Sequence, residues 1–356
     1  MIKLGDLSID EKIGQRFIFG TNSDNIDCLI ELIKNSFIGG VILYKRNYTT
    51  YDEMLKVVKK LKEANKDNKV PLFIAIDQEG GKVNRMPEEI HRLKNVYDVS
   101  KTDKKLIKDH AEIISKMLYE TGINMNFAPV LDIYNGSKSR AIYKRCFYGD
   151  YKNVMEAGEK YINVFTDNKV IPVIKHFPGH GASKVDSHRT VPHIFASKGV
   201  LNVHMKPFEV AIENGAPAVM VGHLSVGNLT NGLPASISES FIQKYLVKKN
   251  NYKGLVLTDE INMLKRSLRY RFVFLDKALR TSNDIILVKI KTSNEGYKII
   301  NKYKKIINKG DLDKSVEKIL DLKEKYEISD QIDFSGCDIE EINSMIDKIN
   351  DKVKNS

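Results

Sequence analysis

Eight short apolar runs, separated by amphipathic stretches, restrict the fold of this chain more than any other feature. The runs are Gln15–Gly20, Gly39–Tyr44, Pro71–Asp77, Asn124–Val130, Val170–Lys175, Ala216–Gly222, Gly254–Asp259 and Asp284–Ile290. Most are β-branched or otherwise apolar throughout, so both faces of each strand must be covered, as in a parallel sheet wrapped by helices. The stretches between them carry helical spacing. Asp52–Asn65 brings Met54, Leu55, Val57, Val58 and Leu61 to one side, and Asp103–Thr121 does the same with Leu106, Ile107, Ala111, Ile113, Ile114 and Met117. Val154–Asp167 and His204–Asn214 repeat the pattern. Eight strands alternating with helices predict an α/β chain folded as a (β/α)8 TIM-type barrel with extra C-terminal helices. The alternative is a doubly wound open sheet. The Gly-rich dinucleotide fingerprint of that fold follows none of the eight runs.

Beyond about Ile290 the chain is rich in Lys, Asp and Glu, with Ile299, Ile300, Tyr303, Ile306 and Ile307 at helical spacing. Further helices are expected over Leu312–Tyr326 and Ile339–Val353. No Pro/Gly/Ser-rich linker interrupts the chain, so one barrel domain over 1–356 is expected, with roughly 295–356 as a C-terminal helical extension.

Length and composition narrow the class. A chain of 356 residues can bury one large core. Cys28, Cys146 and Cys337 are far apart, which suggests neither a disulfide framework nor a structural zinc site. The start, Met1-Ile2-Lys3-Leu4-Gly5-Asp6, lacks the apolar segment of a signal peptide. No apolar run approaches the ~20 residues that span a bilayer. A cytoplasmic protein without membrane association is the expectation. The formal charge is +11, but the lysines alternate with acids, as in 56–69 and 302–325, which reads as solvated helix faces rather than a nucleic-acid surface. A monomer is expected.

Polar residues fall at the ends of these strands. Asp77 ends the third, Asp132 lies just past the fourth, Lys175 and His176 end the fifth, His223 follows the sixth and Asp259 ends the seventh. In a barrel these positions share the C-terminal rim, where barrel enzymes build their sites. An isolated Asp there reads as a helix cap, and Asp259 alone would be read so. Five successive strands closing on Asp, Lys or His point to a site. The loop Lys175-His176-Phe177-Pro178-Gly179-His180-Gly181 runs on to Asp186-Ser187-His188. A carboxylate two residues from an imidazole can orient it and tune it toward neutrality, as a general acid/base requires. A metal site on His176, His180, Asp186 and His188 is the competing reading, but their spacing matches no known ligand pattern, so no metal or other cofactor is expected. After the third strand, Asp77 offers hydrogen-bond acceptors and Arg85 a charged donor, beside a Gly80-Gly81 pair that lacks the ending of a phosphate loop. A capped turn with a solvated arginine would account for that segment equally well.

Together these segments resemble glycoside hydrolase family 3, in particular its β-N-acetylglucosaminidase branch. The matching stretches include Ile76-Asp77-Gln78-Glu79-Gly80-Gly81, Asn126-Phe127-Ala128-Pro129-Val130-Leu131-Asp132, Lys175 to Gly181, Asp186-Ser187-His188, Pro234-Ala235-Ser236-Ile237-Ser238 and Thr258-Asp259. The resemblance runs from about Ile13 to Leu287. It implies a retaining exo-β-N-acetylglucosaminidase with Asp259 as nucleophile and His188, paired with Asp186, as acid/base. It implies a terminal sugar bound by Asp77, Arg85, Arg145, Lys175, His176 and His223, and Asp132 holding Lys175 or a sugar hydroxyl. The implied substrates are GlcNAc-containing peptidoglycan fragments. Alternatives are a phosphorylase, in which phosphate replaces water beside a histidine acid/base, and a sugar-binding barrel with catalysis lost. The chain departs from the family at Arg145-Cys146-Phe147-Tyr148, at Glu260, at Leu264-Lys265-Arg266-Ser267-Leu268-Arg269 and at Arg280-Thr281-Ser282-Asn283-Asp284. These departures are expected to surround the leaving-group side.

Overall fold

The computed structural model of the chain describes residues 2–134, 136, 141–182, 194, 197–249, 251–263 and 268–355. Its eight strands are β1 Phe17–Thr21, β2 Gly40–Leu43, β3 Phe73–Ile76, β4 Met125–Asn126, β5 Ile171–Phe177, β6 Ala218–Val221, β7 Leu255–Thr258 and β8 Ile286–Ile290. All pair in parallel in the order β7-β6-β5-β4-β3-β2-β1-β8. A parallel bridge between Leu257 and Ile285 brings the two ends together, so the sheet closes into the expected (β/α)8 barrel. Every gap between strands holds at least one helix, and Ser293–Lys304 follows β8 to pack beside Asp27–Ser36 in the outer ring.

Alternation along the strands divides the core in two. Ile18, Ile42, Phe73, Ala75, Met125, Phe127, Ile171 and Val173 fill the barrel interior, while Phe17, Phe19, Val41, Ile74, Ile76 and Ile174 pack outward against the helices. The helices begin where the chemistry predicts. Thr50 accepts from the Glu53 amide ahead of Tyr51–Asn65, and Asp150 accepts from the Lys152 and Asn153 amides ahead of Tyr151–Asp167.

Most strand ends shift by one or two residues, and two of the differences from the sequence reading have a specific cause. The first strand starts at Phe17, because the Ser8 capping box begins a helix, Ile9–Gln15, that takes in Gln15. The fourth is not a seven-residue strand over Asn124–Val130. Only Met125–Asn126 pairs regularly, with a single later bridge from Val130 to Lys175. Pro129 has no N–H for the ladder, so regular pairing stops before it.

The helix Lys309–Lys325 closes the N-terminal end of the barrel. Ile319, Leu322 and Tyr326 join the interior cluster. The buried Lys323 ammonium donates to Gln15 Oε1 at 2.8 Å, the Gly39 carbonyl at 3.0 Å and the Pro71 carbonyl at 2.6 Å, and lies 4.3 Å from the centre of the Phe73 ring. The last helix, Ile339–Lys354, packs on Leu106–Glu120, with Lys116 and Glu341 paired at 2.6 Å. Among the described residues no helix is long and apolar enough to cross a membrane.

Candidate active site

A cavity of about 230 Å³ opens at the C-terminal ends of the strands. Its lining includes Tyr44, Asp77, Arg85, Arg145, Lys175, His176, His180, Asp259, Glu260 and Lys289. Phe127, Met220 and Leu287 belong both to this lining and to the barrel interior, and so form its apolar floor.

One wall is built around a carboxylate. Glu79, buried just beyond β3, accepts both arms of Arg145, from Nε at 2.9 Å and Nη2 at 2.8 Å. Lys175 Nζ lies 2.6 Å from Glu79 Oε1 and 2.8 Å from Asp77 Oδ1. Arg85 Nη2 stands 4.0 Å from the other Asp77 oxygen. Burial works against the charges of Glu79, Arg145 and Lys175, yet their mutual attraction and that of Asp77 outweigh it. Arg145 and Lys175 hold Glu79 well below the usual carboxylate range, and Asp77 and Glu79 raise Lys175 above its ordinary value. Lys175 is therefore a fixed ammonium. The Gly80–Gly81 turn makes room for this wall. Gly80 has φ +84°, and a Cβ there would lie 3.0 Å from the Lys94 carbonyl oxygen.

The next wall holds histidines. His176 follows Lys175 directly, and the β5 pairing shifts register between Ile174 and Phe177, so adjacent residues both reach the cavity. Asp132, fully buried, accepts from His176 Nδ1 at 2.7 Å and from the His180 amide at 2.5 Å. That leaves it no access to a sugar hydroxyl, and Lys175 is held by Asp77 and Glu79 instead. The role expected for Asp132 is thereby corrected: it orients His176 and anchors the following turn. Gly181 permits the anchoring, since a Cβ there would meet the Ile133 carbonyl oxygen at 1.9 Å.

Asp259 stands at the tip of β7. Its Oδ1 accepts from the Glu260 amide at 2.7 Å. Burial pushes its pKa up, but His223, His176, that amide and Lys175 together bring it below the ordinary value, so the carboxylate is ionised. Glu260 turns the other way, accepting from the Asn262 amide at 2.8 Å and the Lys289 amide at 3.2 Å. His223 is buried and does not border the cavity. Its Nε2–H donates to the Glu260 carbonyl at 3.0 Å, and Nδ1 accepts from the Ser236 hydroxyl at 2.6 Å. His223 thus supports the backbone beside Asp259.

Of the residues singled out in the sequence, Asp77, Arg85, Arg145, Lys175, His176 and Asp259 meet at one cavity. Asp186 and His188 lie outside the described residues, as does 264–267. Among the described residues no group of three or more His, Cys, Asp or Glu side chains could hold a metal ion. The stretch 280–284 lines none of the cavity. Asp284 instead accepts from Ser315 Oγ at 2.9 Å and pairs with Lys318 at 3.1 Å, on the helix that closes the opposite end of the barrel, so this departure is not on the leaving-group side. Sequence reasoning assigned no role to Glu79, Tyr44 or Lys289. Glu79 lies two residues beyond Asp77, the spacing that returns a side chain to the same side of a strand, and Tyr44 closes the second predicted strand on the same rim. Lys289 carried no signal.

Residues 8–322 match the glycosyl hydrolase family 3 N terminal domain. The chain belongs to glycosyl hydrolase family 3. A β-hexosaminidase of Haemophilus influenzae (strain PittEE) is 28% identical over 267 residues, 73% of this chain and 75% of that protein. A β-hexosaminidase of Psychromonas ingrahamii is 32% identical over 240 residues, 65% of this chain and 69% of that one. A family 3 β-N-acetylglucosaminidase from Paenibacillus sp. str. FPU-7 superposes with a TM-score of 0.87 at 28% identity, covering 98% of this chain and 69% of its own. This family 3 chain thus shares its barrel with the Paenibacillus enzyme nearly end to end.

Proposed function

We propose that the protein is a retaining exo-β-N-acetylglucosaminidase that releases terminal β-linked GlcNAc, with peptidoglycan fragments in the cytoplasm as its source. The observation that carries this reading is Asp259, a buried, ionised carboxylate at the tip of β7 that faces a cavity walled by Lys175, Arg145, Arg85 and His176. Family membership and the β-hexosaminidase relatives support the substrate class. The cavity falls below the ~300–1,000 Å³ typical of drug-sized ligands, which suits one sugar ring and hence action at a chain end.

In the proposed reaction Asp259 attacks the anomeric carbon as the glycosidic bond breaks, giving a covalent glycosyl-enzyme. His188, oriented by Asp186, donates its proton to the departing oxygen and then takes one from the water that releases the sugar. Lys175, Arg85 and Asp77 hold sugar hydroxyls. His176, fixed by Asp132, presents its remaining ring nitrogen to the same sugar.

Hydrolysis of a chromogenic β-GlcNAc glycoside tests the reading. Asp259→Asn should abolish turnover, and azide should restore reaction in Asp259→Gly by forming the glycosyl azide. Wild-type turnover in Asp259→Asn removes Asp259 as nucleophile. His188→Ala should lose roughly 10²–10⁴-fold on a disaccharide and much less on an activated aryl glycoside, whose leaving group needs little protonation. Equal losses on both remove His188 as the acid.

A further inference from the structure

Two stretches, one in the connection after β3 and one in the connection after β4, meet outside the cavity lining. One is the helix Val96–Thr102 and the other is 143–148. Lys144 pairs with Asp98 at 3.0 Å, and the Tyr148 amide donates to Ser100 Oγ at 2.9 Å. These ties assemble four tyrosines. The Tyr97 ring lies 6.1 Å from Tyr134, 5.9 Å from Tyr143 and 5.3 Å from Tyr148, edge to face in each case, and Tyr134 and Tyr143 are 5.0 Å apart. The cluster is not interior packing. Tyr143 is 45% exposed and Tyr148 43%, with Tyr97 and Tyr134 half-buried behind them. Lys144 and Lys101 place ammonium groups 5.9 Å from the Tyr143 ring and 5.8 Å from the Tyr148 ring.

An aromatic patch held in fixed geometry and left in water marks a surface that meets something else. Its position suggests the occupant. Ala141 and Arg145, each two residues from Tyr143, line the cavity, so the patch adjoins it along the chain. A pyranose ring presents a face of C–H bonds, which settles on the negative face of an aromatic ring, while the neighbouring ammonium groups meet its oxygens. We propose that Tyr143 and Tyr148, backed by Tyr97 and Tyr134, form a platform for the leaving-group sugars of an oligosaccharide whose terminal unit occupies the cavity. This proposal rests on the glycosidase reading above and adds a preference for chains over isolated glycosides.

The test compares a β-linked GlcNAc tetrasaccharide with trifluoroethyl β-N-acetylglucosaminide, whose leaving group has no ring. In Tyr143→Ala/Tyr148→Ala, kcat/KM for the tetrasaccharide should fall about 5- to 30-fold through KM, the loss of two stacking rings. The trifluoroethyl glycoside should be hydrolysed as by wild type, and Tyr143→Phe/Tyr148→Phe should retain the tetrasaccharide rate. An unchanged tetrasaccharide kcat/KM, or equal losses on both substrates, overturns the platform. Tetrasaccharide binding to the Asp259→Asn enzyme, measured by calorimetry, separates this from failure of the glycosidase reading. A wild-type protein that cleaves neither substrate refutes the glycosidase, whereas binding that ignores the two alanines refutes the platform. A change in solution mass on introducing the alanines would make the patch a contact between copies and also overturn the proposal.

Discussion

Glu79→Gln perturbs the centre of the cationic wall without changing its shape. Glu79 is 4% exposed and takes three charged contacts, two from Arg145 and one from Lys175. With charge centres roughly 4 Å apart, each attraction is about 4 kcal/mol at an effective dielectric near 20. The amide loses both attractions, turns an NH2 toward two cations, and leaves Arg145 with the Ala141 carbonyl as its remaining partner in this wall. Against this, the variant no longer buries a carboxylate, which offsets several kcal/mol. Removing one member of such a buried group costs about 3–5 kcal/mol. At about 2.1 cal/mol/K per residue, the unfolding entropy of a chain this long converts that loss to a fall in Tm of roughly 4–7 °C. Differential scanning calorimetry at neutral pH measures it. The pH dependence supplies an independent sign. Because the folded carboxylate is held well below its unfolded pKa near 4.5, its stabilisation is complete above that value and is lost as pH falls toward the folded pKa. The gap between wild type and variant should therefore be flat above about pH 5 and narrow in acid. Turnover should also drop, by about 10²-fold, as Arg145 and Lys175 shift. A Tm within about 1 °C of wild type, with kcat/KM retained, would refute the view that Glu79 organises this wall.

Asp132→Asn removes a charge-assisted acceptor from His176 and from the His180 amide, and should cost about 1.5–3 kcal/mol and raise KM. Thermal scans should show the deficit at neutral pH and its loss in acid, since Asp132 is held below its ordinary value when folded. A deficit that persists unchanged in acid would be inconsistent with an ionised Asp132. For Lys323, burial lowers the ammonium to about 7. Between that value and its unfolded pKa near 10.5 the unfolded chain binds more protons, so the group adds stability as pH rises. Wild type should gain on Lys323→Met by up to about 1.4 kcal/mol per pH unit above neutrality, and a gap that is flat or shrinks from pH 7.5 to 9 would refute the assignment. Ser236→Ala frees His223 Nδ1 and loosens the turn beside Asp259. It should lower kcat several-fold and Tm by roughly 1–4 °C, since a buried ring nitrogen left without its partner costs about 1–3 kcal/mol, as checked by kinetics and calorimetry together.

The barrel was legible because its strands are buried on both faces. Runs such as Phe73–Ile76 and Leu255–Thr258 have no alternation to lose, and the helices between them carry a clear stripe. The fourth strand was overdrawn because apolarity says nothing about ladder geometry, and Pro129 outweighed it. The rim pattern located Asp77, Lys175, His176 and Asp259, since each ends a strand. Glu79 and Lys289 escaped because their roles are fixed by partners far away in sequence: Arg145 for the first, and for the second the Glu260 carboxylate at 3.5 Å and the Tyr44 ring at 5.0 Å. The 280–284 departure was misplaced for a related reason. Unfamiliar residues near a motif look like site residues until the strand direction shows which end of the barrel they occupy.

The helix Lys309–Lys325 sets how far the barrel can be shortened. A chain cut after β8 would keep all eight strands and every cavity residue described above, yet the closure of the barrel's N-terminal end would be missing. Ile319, Leu322 and Tyr326 would no longer seal the lower layer of side chains, and the carbonyls of Gly39 and Pro71 would lose the lysine that ties β2 and β3 together from below. Water would then enter the interior at the end opposite the chemistry, and the strand tips that aim Asp77 and Asp259 would lose their common base. The smallest chain that retains the site therefore extends past Tyr326.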